Sequence, residues 1–140
     1  MPERSDGRDL TVTATTDSKL SLVDSSGWFE YIGDGPKADE FGKYLNDYSL
    51  LVVPAIVFYE VHKKLLLTNN DAALRRFVSH AVRAIQVPLD AELAAEAAKA
   101  SAVHRLAMAD AVIYAAAQTR GAQLITGDPD FRGLPGVIIL

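Results

Sequence analysis

Four carboxylates stand in stretches of chain where a carboxylate is costly. They are Asp24 after Leu-Ser-Leu-Val, Glu60 within Val-Phe-Tyr-Glu-Val, Asp110 within Ala-Met-Ala-Asp-Ala-Val-Ile-Tyr, and Asp128 after Leu-Ile-Thr-Gly. A buried carboxylate without a partner is strongly destabilising, and these segments carry no matching set of buried cations. If the four converge, each pair about 4 Å apart repels by roughly 4 kcal/mol at an effective dielectric near 20. A divalent cation removes that conflict. Donors that are all oxygen suit Mg²⁺ or Mn²⁺ and not zinc. Such an ion activates water and stabilises charge on a phosphodiester in flight.

Each acid also has a purely structural use. Asp24 fits the cap of a following helix, with Ser25 or Ser26 assisting. Glu60 has Lys64 four residues on, a surface pair worth only about 0.3–0.5 kcal/mol. Asp110 fits the N-cap of a helix starting at Ala111, although the preceding Leu-Ala-Met-Ala reads as helix already. Asp128 and Asp130 flank Pro129 in a turn-like stretch where a side chain bonds its own backbone. Asp130, two residues beyond Asp128, is a further possible metal ligand. The set of four weighs more than any one member.

The elements that must position these acids follow from the pattern. Lys19–Asp24 predicts a short strand, followed by an apolar helix through Trp28, Phe29, Tyr31 and Ile32 that Gly33-Asp34-Gly35-Pro36 ends. Phe41, Tyr44, Leu45 and Tyr48 share a helical stripe. Leu50–Val53 predicts a second strand, with Pro54 opening a helix to about Thr68. That helix is apolar on more than one side, as a core helix or a subunit interface would be. Asn70 or Asp71 caps a helix with the stripe Leu74, Phe77, Val78, Ala81 and Val82. Ala84–Val87 is a third strand, and Asp90 caps an Ala-rich helix to about Ala102. Leu106–Arg120 is a helix stopped by Gly121; Gln123–Thr126 and Val137–Leu140 are the last strands. Short, continuously apolar strands alternating with helices predict one α/β domain with a parallel sheet of about five strands covered on both faces. Asp24 and Asp128 then lie at the carboxyl ends of strands, where open parallel sheets bind ligands, and Glu60 and Asp110 lean toward the same edge.

Composition narrows the options. The chain has 140 residues, enough for one domain with a real core. No cysteine is present, which excludes thiolate metal sites and a thiol nucleophile. A net charge of −4 argues against non-specific coating of nucleic acid, yet acids gathered at a metal site count toward that total. Residues 1–19 are polar, lack a signal-peptide core and read as a flexible tail, leaving 20–140 as the domain. No apolar run reaches the roughly 18 residues of a membrane span, and a cytoplasmic location is expected.

The segments Leu22-Val23-Asp24-Ser25-Ser26, Tyr59-Glu60-Val61, Leu106 through Ala115, and Thr126-Gly127-Asp128-Pro129-Asp130-Phe131 together resemble the PIN-domain ribonucleases. The likeness is to the VapC-like toxins of type II toxin–antitoxin pairs in particular. The resemblance spans about residues 20–140 and implies a three-layer α/β/α fold. It implies RNA cleavage by a metal-activated water, with Asp24, Glu60, Asp110 and Asp128 matching the family's acids by position. Ser26 matches its small hydroxyl residue after the first acid, and Thr126 its threonine beside the last. A small antitoxin that fills the active-site groove, and a homodimer, are the partners it implies.

Other features carry less. Lys63 and Lys64 follow Glu60 within a turn and could hold phosphate at the site's border. Arg75, Arg76, His80 and Arg83 lie on the polar side of helix 71–83, a solvated face or a track for RNA or an acidic antitoxin. His62, His80 and His104 lack metal-ligand spacing. Gly33-x-Gly35-x-x-Ala38 follows a helix, not a strand, which excludes a dinucleotide fingerprint. Different readings are a nuclease acting on structured RNA or DNA, and a non-catalytic interaction or phosphoacceptor module with Asp24 at a strand end. The phosphoacceptor reading gives Asp110 no role.

Overall fold

The computed structural model describes residues 19–140; the tail predicted over 1–19 lies, except for Lys19, outside the described residues. Five strands form one sheet: β1 Ser21–Val23, β2 Leu51–Pro54, β3 Ile85–Val87, β4 Gln123–Thr126 and β5 Val137–Ile139. Their order is β3-β2-β1-β4-β5, and every neighbouring pair is parallel. Successive side chains of a strand face opposite sides, yet every residue of β1 and β2 is buried. Both faces of the sheet are therefore covered, which makes the fold a three-layer α/β/α sandwich.

Strand β1 sits centrally, with Leu22 opposite Val52 on one side and Leu124 on the other. The chain leaves β1 toward β2 and later returns to its other flank with β4. This reversal is the topological switch point at which open α/β sheets hold ligands, in the crevice beyond the strands' carboxyl ends. The two residues at that crevice are Asp24, after β1, and Asp128, just past β4.

The helices are α1 Ser25–Ile32, α2 Ala38–Leu45, α3 Ala55–Leu67, α4 Asp71–Ala81, α5 Ala91–His104 and α6 Met108–Thr119. Side chains start three of them as the sequence suggests: Asp24 accepts from Gly27 N, Asn70 from Ala73 N and Asp90 from Leu93 N. Three details differ from expectation. Helix α2 stops at Leu45, because Asp47 accepts from Ser49 N and turns Tyr48–Leu50 into a separate 3₁₀ turn. Helix α4 buries Ala73, Phe77 and Ala81, whereas Val82 is exposed. Helix α6 begins at Met108, not Leu106. Arg105 ends α5 in the left-handed region (φ 58°), the Ser101 hydroxyl holds the Leu106 carbonyl at 2.8 Å, and Ala107 is extended as the N-cap.

Helix α3 buries Val57, Val61 and Leu65 but exposes Tyr59, Leu66 and Leu67. It is no core helix; one apolar face is open. Among the described residues no helix is long and apolar enough to cross a membrane.

Candidate active site

Asp24 is the anchor. It is buried, at 4% exposure, and begins α1 directly where β1 ends. Its Oδ1 accepts from the Ser26 hydroxyl at 2.6 Å and from Gly27 N at 3.3 Å; its Oδ2 accepts from the Thr126 hydroxyl at 2.6 Å. The two hydroxyls are themselves oriented by the opposite strand end. Ser26 Oγ accepts from Gly127 N at 3.1 Å, and Thr126 Oγ1 accepts from Asp128 N at 2.9 Å. With a backbone N–H on each oxygen, each hydroxyl proton is turned onto the carboxylate. Ser26 and Thr126 thus lock the β1 and β4 ends together. A carboxylate offers about four acceptor positions, so Asp24 keeps one on Oδ2 for a further partner. Burial pushes the Asp24 carboxyl above its ordinary value; Ser26, Thr126 and Gly27 N pull it down, and the Asp128 charge adds to the rise.

Removing one of these donors tests the anchor. Thr126 is fully buried, so Thr126→Val leaves its place filled but withdraws a charge-assisted hydrogen bond worth about 2 kcal/mol. Urea denaturation should show a loss of that size, with Thr126→Ser restoring most of it. Unchanged stability in the valine variant would mean that the bond contributes nothing.

Glu60 lies in the second turn of α3. Its Oε1 is buried with no hydrogen-bond partner. Burial raises its carboxyl above the ordinary value, the Ser25 hydroxyl opposes, and the Asp24 charge adds to the rise. The structural alternative for Glu60 fails, because Lys64 does not pair with it. Lys64 Nζ sits instead over the Phe29 ring, 4.4 Å from its centre. Lys63 turns the other way, 5.7 Å from the Tyr59 ring centre.

Asp110 occupies the first turn of α6 and is half-buried. Since α6 starts at Met108, Asp110 is not an N-cap. It sits among first-turn N–H groups that lack intrahelical acceptors, at the positive end of the helix dipole. Even so, its carboxyl is raised to about 6, by burial first and then by the charges of Asp128, Asp130, Asp24 and Glu60. All four other acids are felt at this one group. Asp110 is the hub of the cluster.

Asp128 does make the predicted turn: its Oδ1 accepts from Asp130 N at 2.9 Å and caps the 3₁₀ turn Pro129–Phe131. That turn folds Asp130 back toward the site. One carboxylate oxygen each from Asp110, Asp128 and Asp130 lies within 4.8 Å of the others. Asp130, ambiguous in the sequence, therefore belongs to the tight triplet; Asp24 and Glu60 fall outside it, near enough for their charges to act on Asp110.

Do these residues fit a hard divalent ion? The donors are all oxygen, as Mg²⁺ and Mn²⁺ require. A buried Glu60 oxygen lacks a partner, and Asp24 retains an open acceptor position. Among the described residues no lysine or arginine offsets the raised carboxyls of Asp24, Glu60 and Asp110. The set fits.

The remaining candidates stand elsewhere. His80 is not on a solvated face: its Nε2 lies 2.7 Å from the Leu45 carbonyl, and its ring packs edge-on to Trp28 and Tyr48. Arg83 lies over the Tyr48 ring, and Arg75, Arg76 and Arg83 are all exposed. His62 packs at a tilt against Phe58 and His104 edge-on to Tyr114, away from any ligand geometry. Phe29, which a sequence reading treats as plain core, carries Lys64 over its ring. Only tertiary packing brings it there.

Comparison with known proteins agrees with this architecture. The family model described as PIN domain matches residues 21–137. No curated protein matches the chain. Among solved structures, a toxin–antitoxin complex from Klebsiella pneumoniae superposes with a TM-score of 0.73 at 20% identity, covering 84% of this chain and 95% of that one. DNA-bound VapBC from Salmonella typhimurium gives 0.65 at 19% identity, covering 87% and 97%. VapC20 of Mycobacterium tuberculosis, described as a sarcin–ricin-loop-cleaving toxin, gives 0.61 at 18% identity, covering 83% and 95%. At such identities the likeness is one of fold.

Proposed function

The chain belongs to the PIN domain family, and from that premise we propose that it is a metal-dependent endoribonuclease, the VapC-like toxin of a toxin–antitoxin pair. Residues 20–140 form the nuclease domain, acting in the cytoplasm. The observation that carries the reading is the triplet Asp110, Asp128 and Asp130 at the sheet's switch point, with Asp24 and Glu60 near enough to act on Asp110 and a buried Glu60 oxygen lacking a partner.

In this reading Asp24, Glu60, Asp110 and Asp128 hold Mg²⁺ or Mn²⁺, with Asp130 as a fifth ligand. The ion supplies an activated water and offsets the charge that builds on the phosphate. Ser26 and Thr126 favour the ionised form of Asp24 against its burial and fix its direction. The first turn of α6 adds backbone N–H groups facing the same crevice, which favours an anionic phosphodiester. Hydrolysis breaks one P–O bond of the RNA backbone and adds the elements of water across it.

Two protein partners accompany this function. A cognate antitoxin is supported by the toxin–antitoxin complexes that share the fold. A homodimer is supported by the open apolar face of α3, with Tyr59, Leu66 and Leu67 exposed. A monomeric mass by light scattering at micromolar concentration would remove the dimer.

The test is cleavage of labelled single-stranded and transfer RNA by antitoxin-free protein with Mg²⁺, Mn²⁺ or EDTA. Cleavage is expected with either ion and not with EDTA. Well-folded protein that cuts nothing across a broad RNA panel would remove the nuclease reading and favour a binding role.

A further inference from the structure

Helices α1 and α3 run side by side away from the acids, and their side chains meet in matched steps. The Ser25 hydroxyl is beside Glu60; four residues on along both helices, Phe29 is beside Lys64. Four residues advance a helix by about 6 Å, so the backbone of Lys64 lies roughly one nucleotide step along α3 from that of Glu60. Lys64 is exposed, while the Phe29 ring beneath it is half-buried and thus fixed.

The partner of this ammonium decides what it is free to do. A lysine at i+4 from a glutamate ordinarily pairs with it, and paired in that way it would have its charge cancelled. Lys64 rests on an aromatic face instead, which attracts the cation without occupying its N–H donors. An uncancelled cation therefore stands one helical turn beyond Glu60, resting on a half-buried ring. Lys63 does not share this geometry; it leans on Tyr59 along the apolar groove of α3 that His62, Leu66 and Leu67 also line.

We propose that Lys64 is a phosphate anchor for the nucleotide adjacent to the cleaved bond of a single-stranded RNA, with Phe29 as the residue that positions it. The inference rests on the nuclease reading and deepens it: the strand runs from the acids down the seam between α1 and α3. Phosphate contacts of this kind fix register and carry no base preference.

Binding of a fluorescein-labelled single-stranded RNA, followed by anisotropy over a salt series in an Asp110→Asn background, decides the matter. Lys64→Gln should weaken binding about five- to tenfold and flatten the slope of log K against log salt by about 0.7, the value for one phosphate on a single strand. Lys64→Arg should restore both. Phe29→Leu should weaken binding less, with the slope kept, because the charge remains but is no longer held. Lys99→Gln, which removes a cation paired with Glu96 on α5, should change neither. Affinity and slope unchanged in Lys64→Gln would overturn the anchor. Absence of RNA cleavage by the unaltered protein would instead overturn the nuclease reading, and the binding series would still judge Lys64.

Discussion

Asp110→Asn should abolish cleavage and, in the same protein, raise the stability of the metal-free chain at neutral pH. The two effects have one cause. Asp110 feels the charges of Asp128, Asp130, Asp24 and Glu60 together, so it is the group whose ionised form most needs a cation nearby. Losing that charge removes a ligand and electrostatic stabilisation of the reacting phosphate, an effect on the order of a hundred- to a thousandfold in rate. Stability moves oppositely. The carboxyl is raised to about 6 in the folded chain from an ordinary value of 3.8. Between those values the folded state holds a proton that the unfolded state has released, so stability contributed by this group falls as pH rises through the window. Asparagine carries no such penalty. With EDTA present, wild type and variant should melt alike near pH 4, diverge as the pH rises toward 6 and stay apart above it, the variant higher. Mn²⁺ should then raise the melting temperature of wild type more than that of the variant. A variant that melts lower than wild type at pH 7 in EDTA would show that Asp110 is stabilised where it sits, contrary to the cluster's electrostatics.

The second large effect lies beneath the site. Gly27→Ala should cost about 3 kcal/mol, the upper range for overpacking a core. A Cβ at this position would collide with the Val23 side chain and approach two Phe41 ring carbons at 2.6 and 2.7 Å. Neither neighbour can yield cheaply: Val23 is wholly buried in the central strand, and Phe41 is 2% exposed. The damage would reach the chemistry, because Val23 precedes Asp24 and Gly27 N donates to its carboxylate. Urea denaturation should show the loss, and metal affinity should fall with it. Wild-type stability in Gly27→Ala would mean that β1, α1 and α2 separate more readily than their packing allows.

How legible was this in the sequence? The strand ends were, because short apolar runs stopped by Asp24 and by Gly127-Asp128 have few other uses. The structural readings of Asp24 and Asp128 also proved true: both cap, and capping is what aims their carboxylates at the crevice. Cap and ligand are not rival explanations there. What stayed hidden depends on tertiary packing. Lys64 lies four residues from Glu60, the spacing of a local pair, and only the arrival of Phe29 from α1 gives it another partner. The sequence pattern puts the start of α6 two residues early, since Leu106 and Ala107 suit a helix but are fixed outside it by Ser101 and by the left-handed Arg105. Asp130 joins the acids because the Asp128 turn folds it back, and spacing alone does not give that direction. Apolar breadth in α3 could have meant core; three side chains at the surface decide that it does not.

The most direct measurement of the central claim is Mn²⁺ binding to the metal-free protein by electron paramagnetic resonance titration at neutral pH. At least one ion per chain should bind, Mg²⁺ should displace it, and Asp110→Asn should bind it far more weakly. Free Mn²⁺ signal rising from the first addition, with wild-type protein folded and in excess, would contradict the claim that these five carboxylates are arranged around a cation.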